Sequence, residues 1–234
     1  ILPHKEVTKV KRGKKYLEAL KKYNPQEEYD LMKALNVVKD FKIAKFDETV
    51  EVAIKLNLKK SQTVRDTVVL PNSFGEEKRI LVFAKGDKEK EALDAGASYA
   101  GAEELIAKVK EGWDEFDVVV ATPDMMKEVG KLGPVLGRKG LMPNPKTGTV
   151  TTDVKGAVAE LKKGRVEFRA NKEGVLCMGV GKVSMNAEQI FENVKTLYEE
   201  VLRKKPADLK GEYVKSVYIS STMSPSVKVN YKAI

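Results

Sequence analysis

Four short segments carry side chains able to handle a polyanion. Residues 131–150, "KLGPVLGRKGLMPNPKTGTV", hold four glycines, three prolines, four basic side chains and no acid. A glycine-rich basic loop can cradle phosphates, present cations to a nucleic acid, or simply connect two folded units. A P-loop requires glycine, four residues, then Gly-Lys-Ser/Thr, so that backbone N–H groups wrap the phosphates and the lysine reaches them. Gly133 and Gly137 have three residues between them, and Arg138 follows. Gly174 and Gly179 have the required four, but Val180 stands in place of the lysine. "GVGKVS" has no Ser or Thr directly after Lys182, and the G-x-G-x-x-G pattern is absent. The usual nucleotide loops are therefore missing. Arg138, Lys139 and Lys146 sit on Gly/Pro-rich chain, which leaves a rigid basic loop and a plain connection both open.

The other three segments are shorter. "AKFDETVE" places Lys45, Phe46 and Thr49 just before an alternating run. "SSTM" places Ser220, Ser221, Thr222 and Met223 at the end of another, and "EFRANKEG" adds Arg169 and Lys172 at a turn. Arg and Lys hold phosphates, Ser and Thr hydroxyls bond to ribose or base edges, and an aromatic or Met side chain packs on a base or sugar. A lone Phe is more commonly a core residue, and "SSTM" also reads as a polar strand end. Only the coexistence of these segments in the basic parts of the chain points to RNA. Other chemistry is scarce. With one Cys (Cys177) and one His (His4), clustered zinc sites are excluded. A Ser–His–Asp triad would have to recruit His4, near the start of the sequence. No spacing among the 34 acids stands out as a metal or acid–base site.

The 234 residues suit one large domain or two small ones, and the net charge is +9. Residues 1–70 carry 16 basic and 10 acidic side chains, 71–158 carry 13 and 15, and 159–234 carry 14 and 9. Basic ends around a slightly acidic middle fit one basic domain with an insertion, and equally two or three independent domains. One cysteine cannot form an intrachain disulfide, which fits a reducing compartment. No run of about 18 apolar residues is present, so no membrane span is expected. No apolar leader is visible in "ILPHKEVTKVKRGKKY".

The elements that must position these segments follow from periodicity. Residues 13–24 read as a helix with Tyr16, Leu17, Leu20 and Tyr23 at helical spacing, and 27–41 as a second. Residues 49–58 alternate, with Val50, Val52, Ile54, Leu56 and Leu58 on one face and Glu51, Lys55 and Asn57 on the other. A break falls near residue 71. The middle reads strand (79–85), helix (87–96, closed by Gly96), helix (101–113), strand (116–122), then a helix opened by Pro123. Continuous apolar strands alternating with helices imply an α/β layer with parallel strands. Residues 164–183 read as two strands around an Asn-Lys-Glu-Gly turn, and 214–229 as the last strand or strands. Residues 186–205 form the clearest helix, with Ile190, Phe191, Val194, Leu197, Tyr198, Val201 and Leu202 on one face. Asn186 and Gln189 suit its start, and Arg203, Lys204 and Lys205 suit its end. The two ends thus supply about four strands and three helices. That fits a mostly antiparallel sheet with helices on one face and the other face free to bind.

"GPVLGRKGLMPNPKTGTV" closely resembles the signature of the ribosomal protein L-one family of the large ribosomal subunit, in its bacterial form. The resemblance continues in "AKFDETVEVAIKL", "GRVEFRANKEG", "DVVVATPDMM" and "KSVYISSTM", in order, from about Val10 to Val229. It implies a mixed α/β and α+β chain of two domains. One is a discontinuous α+β RNA-binding domain, here residues 1–70 and 159–234. The other is an inserted Rossmann-like three-layer α/β domain, here 71–158. It further implies a non-enzymatic, cytoplasmic constituent of the ribosome that is a monomer when free and needs no cofactor or metal. Family members bind large-subunit ribosomal RNA to form the mobile lateral stalk and aid release of deacylated tRNA from the exit site. Many bacterial members also repress translation of their own messenger RNA. The family's main RNA-contacting positions fall on Lys45, Phe46, Thr49, Ser216, Thr222 and Met223, with Arg165, Arg169, Lys172 and Lys182 as basic helpers. The resemblance puts residues 131–150 at the domain junction, mainly as a hinge-side connection.

Three departures from the pattern stand out. Ser224 follows Thr222-Met223 where the family usually has Gly, which permits positive φ and close approach of RNA to backbone; Ser224 therefore joins the candidate RNA-binding residues. Cys177 stands where bacterial relatives often have His. "ILPHKEVTK" precedes the usual family start; Val10 is a candidate initiation site, and the alternatives are that the extension is native or foreign to the protein.

Overall fold

The computed structural model describes residues 12–41, 43–59, 62–75, 78–206, 209 and 211–233. His4, Val10 and the segment before it lie outside the described residues. The chain begins with helices α1 (Lys14–Leu20) and α2 (Leu31–Phe41), then strands β1 (Thr49–Leu56), β2 (Arg65–Val69) and β3 (Ile80–Phe83). Next come α3 (Asp87–Asp94), β4 (Tyr99–Gly101), α4 (Glu103–Lys110), β5 (Val118–Ala121), α5 (Met126–Val129), α6 (Gly133–Lys139) and α7 (Val154–Lys162). The chain closes with β6 (Arg165–Arg169), β7 (Val175–Lys182), α8 (Ala187–Arg203), β8 (Val214–Ser221) and β9 (Val227–Val229).

Both ends of the chain build one core. Strands β7-β1-β8-β9 form an antiparallel sheet. Alternation in β1 sends Val50, Val52, Ile54 and Leu56 inward, where they meet Leu35 and Val38 of α2 and Ile190, Val194 and Leu197 of α8. Helices thus cover one face of this sheet, as the pattern required. The side chain of Gln189 accepts the Asn186 N–H (3.2 Å) at the start of α8. Leu202 was expected on the buried stripe, but it is exposed: it falls at the stripe's edge, and the adjacent Val201 takes the buried position. Leu17 of α1 also faces outward, and α1 buries Ala19 instead.

The middle of the chain forms a parallel sheet of order β4-β3-β5. Every residue of β3, Ile-Leu-Val-Phe, is buried. Ile80 and Val82 pack against Ala92 of α3 and Val154, Val158 and Leu161 of α7. Leu81 and Phe83 pack on the opposite side against Val109 of α4, Val129 of α5 and Leu136 of α6. Helices on both faces explain why these strands read as continuous apolar runs.

Residues 131–150 are more than a connection. They contain α6, whose Leu136 is fully buried with Leu132 beneath the parallel sheet, and Gly140 ends the helix in the left-handed region (φ 73°). The following chain bridges to the edge of β5, where Ala121 N–H donates to Thr149 O (2.9 Å). Glycines at 133, 137 and 140 and Pro134 masked a short i, i+4 apolar pair in the sequence. The side chain of Lys146 lies outside what is described.

Strands β2 and β6 form a two-stranded antiparallel ribbon where the chain leaves and re-enters the first core, to which Val68 and Phe168 belong. A division at 158/159 falls inside α7, whose Leu161 packs with Ile80 and Val158. The packing changes over at Gly164 instead, where φ is +93°.

Candidate nucleic-acid interface

One end of the antiparallel sheet gathers most of the predicted side chains. Thr49 opens β1 opposite Lys182 of β7, and Ser221 closes β8 opposite Val50. Thr49 N–H donates to Thr222 Oγ1 (3.1 Å), and that hydroxyl points back toward Thr49 O (3.4 Å). Lys182 Nζ donates to Thr49 Oγ1 (2.9 Å). Phe46, three residues before Thr49, and Met223, directly after Thr222, are 55 % and 53 % exposed. Lys45 is exposed beside Phe46, and both border a concavity of ≈ 510 Å³ with Lys39 and Val183 on its wall. The turn from β7 into α8 holds the Phe46 loop in place. There Asp47 accepts from Ser184 N–H (3.1 Å) and Ser184 Oγ–H (2.7 Å).

Glu48 lies beneath this cluster and escaped sequence reading. It is 1 % exposed. It accepts from the N–H groups of Ile43, Ala44 and Met223 and from the Ser221 hydroxyl. Burial pushes its carboxyl up, but the hydrogen bonds from Ser221, Ala44, Met223 and Ile43 together hold it below the ordinary glutamate value. A signal was present. Glu48 falls two residues before Val50, on the inward register of β1, so period-2 alternation alone marks it as a buried acid. Ser221 likewise turns inward and is buried, so it does not join the exposed hydroxyls of "SSTM".

The face of the sheet that is free of helices among the described residues continues away from this end. Glu51, Ala53 and Lys55 of β1 lie between Ser220, Tyr218 and Ser216 of β8 and Gly179, Cys177 and Val175 of β7. Tyr218 is exposed and pairs with Lys228 of β9. Ser216 stands opposite Lys55, whose Nζ donates to Glu173 O (2.6 Å) in the turn that carries Lys172. Six strand residues separate this end from Thr49, roughly 20 Å. Cys177 is exposed on this face, and partial burial together with the nearby Glu51 carboxylate pushes its thiol up.

The predicted residues therefore divide. Lys45, Phe46, Thr49, Lys182, Thr222, Met223 and Ser224 meet at one end of the sheet. Ser216 and the Lys172 turn lie at the other, and Arg169 is exposed at the end of the ribbon opposite Arg65. Arg165 joins neither group. Its guanidinium donates to Thr67 Oγ1 (3.1 and 3.0 Å) and pairs with Glu160, and only 19 % of the side chain is exposed. Ser224 needs no glycine-like backbone, since among the described residues no non-glycine has positive φ. Its hydroxyl accepts Ser221 N–H (2.9 Å) and closes the turn after β8. Among the described residues no cluster of three His, Cys, Asp or Glu is placed to hold a metal, and no helix is long and apolar enough to cross a membrane.

Residues 38–225 match the ribosomal protein L1p/L10e family. The chain belongs to this family. It is 63 % identical over 223 residues to a large ribosomal subunit protein uL1 of Treponema denticola, covering 95 % of this chain and 99 % of that one. It is 60 % identical over 221 residues to the uL1 protein of Borrelia hermsii, with 94 % and 99 % covered, and 59 % identical to that of Borreliella burgdorferi, with 94 % and 98 % covered. Membership in the L1p/L10e family places the chain among ribosomal proteins and not among enzymes. The matched span takes in Phe46, Glu48, Thr49, Thr222 and Met223.

Proposed function

We propose that this chain is a structural constituent of the large ribosomal subunit that binds a folded element of large-subunit ribosomal RNA through the helix-free face of its antiparallel sheet. In this reading residues up to 70 and from 164 onward form the RNA-binding domain, and the parallel sheet with its helices forms an inserted second domain. One observation carries the proposal: two large apolar side chains, Phe46 and Met223, stand more than half exposed around paired threonines and a lysine. Apolar side chains of that size are normally buried, and exposed aromatic and thioether groups beside cations are suited to stack on bases or sugars. Lys45, Lys172 and Lys182 supply phosphate contacts at both ends of the face, and Ser216 supplies a hydroxyl within it. Family resemblance extends the reading to release of deacylated tRNA from the exit site and to repression of the protein's own messenger RNA.

The test is binding to a folded ribosomal stalk RNA fragment and to a scrambled control across a salt series. A preference for the folded RNA that survives high salt is the expected result. Equal binding that vanishes with salt would reduce the site to its net charge.

A further inference from the structure

Glu48 puts a negative charge inside a surface whose proposed work is to receive phosphates. Burying a carboxylate costs desolvation, and its field opposes an approaching polyanion. The hydrogen bonds show what offsets this, because they divide by oxygen. Among the described residues, Oε1 accepts only from the loop before β1, at Ile43 N–H (3.1 Å) and Ala44 N–H (2.8 Å). Among the same residues Oε2 accepts only from the turn after β8, at the Ser221 hydroxyl and Met223 N–H (3.2 Å). The first loop carries Phe46 two residues beyond Ala44. The second carries Thr222 between the two groups that Oε2 holds, and Met223 is itself a donor. One carboxylate thus bridges segments more than 170 positions apart, 175 for its bond to Met223. Both of its oxygens are acceptors, so it can face donors on both sides. A glutamine would turn its NH₂ toward N–H groups on one side and lose those bonds.

We propose that Glu48 is the positioning residue of the RNA-binding face: its ionised carboxylate fixes the separation of residues 43–46 and 221–223, and thereby the spacing at which Phe46 and Met223 meet the RNA. The proposal rests on the RNA-binding reading above.

The experiment compares the full chain with E48Q and with S221A, which removes one donor from Oε2. Folding is followed by circular dichroism and thermal unfolding, and affinity for the folded and scrambled RNAs by fluorescence anisotropy. Amide resonances of Ile43, Ala44 and Met223 are followed by NMR. E48Q is expected to lower the preference for folded RNA about tenfold, the loss typical of a charged hydrogen-bond partner. It should shift those three amides while the rest of the spectrum stays in place. S221A is expected to lower the preference severalfold in the same direction. In a Phe46→Ala/Met223→Ala background the added cost of E48Q should fall below about twofold, because the side chains it positions are gone. An E48Q protein that folds and keeps the wild-type preference overturns the proposal. So does an E48Q penalty that persists undiminished in the double-alanine background. Should E48Q fail to fold, an unchanged preference in S221A overturns it. A wild-type chain with no preference for folded RNA removes the RNA-binding reading itself, an outcome distinct from all of these.

Discussion

The antiparallel sheet carries α2 and α8 on one face only, whereas the parallel sheet has α3 and α7 on one side and α4, α5 and α6 on the other. The strands record this difference. β1 alternates buried and accessible residues, while all four residues of β3 are buried. A sheet wrapped on both faces has no surface left for a macromolecule, and its apolar strands serve packing. A sheet wrapped on one face presents a second one, and here that face carries Lys55, Tyr218, Ser216 and, at its end, the Phe46–Met223 cluster. Between the two lies the β2–β6 ribbon, where Arg165 ties Thr67 to Glu160 of α7. The difference teaches that a sheet covered on one side keeps a face on which basic, hydroxyl and aromatic side chains can stand together, while a side chain such as Arg165, beside a helix, is taken up by structural partners.

The sharpest way to break this contrast is to damage the wrapped sheet alone. Phe83→Ala is expected to lower stability by about 3–5 kcal/mol in denaturant unfolding, as a large aromatic leaves a closed core. Preference for the folded RNA should stay within about twofold as long as the chain remains folded; a collapse of that preference would show that the two sheets do not act separately. Arg165→Ala comes next. Loss of its hydrogen bonds at the junction should cost about 1–3 kcal/mol of stability and leave RNA affinity within about twofold. A tenfold loss of affinity at fixed salt would instead return Arg165 to the RNA-binding set.

Smaller effects sharpen the open face. Thr222→Ala removes the hydroxyl that receives Thr49 N–H and should lower discrimination between folded and scrambled RNA by about 1 kcal/mol, with the salt dependence unchanged. Normal discrimination in that variant would detach Thr222 from the site. Lys45→Ala and Lys172→Ala should each weaken both RNAs alike and reduce the slope of log K against log salt by roughly one. Tyr213→Phe probes the helix-covered side and should change least. The Tyr213 hydroxyl is buried and has no partner among the described residues, and burial pushes it from 10.0 up to about 12. Burial favours the neutral phenol, so its contribution is complete below the ordinary value and is lost as pH rises toward 12. The phenylalanine variant should match or slightly exceed wild-type stability at neutral pH and lose this alkaline decline, as read from unfolding at several pH values.

Much of this contrast was legible before any coordinates. Alternation from Val50 to Leu56 announced a half-covered strand, and the unbroken runs at Ile80–Phe83 and Val118–Ala121 announced a doubly covered one. Other features were hidden for identifiable reasons. Helix α6 is short and rich in glycine, so its buried Leu136 passed for part of a loop. Helix α7 supplies four buried residues to the parallel sheet yet follows it in sequence after a long irregular stretch, which blurred the unit's boundary. Arg165 looked like Arg169 because both are basic and share one strand. They differ in neighbours: Arg165 lies near Thr67 and α7, and Arg169 lies at the ribbon's exposed end.

The amino-acid sequence by itself determined which side of each element is apolar, because the periods of strand and helix are local properties of the backbone. Its ordered motifs also carried the family. The tertiary structure decided which polar groups share a site. Thr49 meets Thr222 across 173 positions and Lys182 across 133, contacts that exist only once β1 is paired with β7 and β8. Glu48 shows the same limit from inside the core. Its register marks it as buried, but only the closure of the sheet brings its four donors from two distant loops onto one carboxylate.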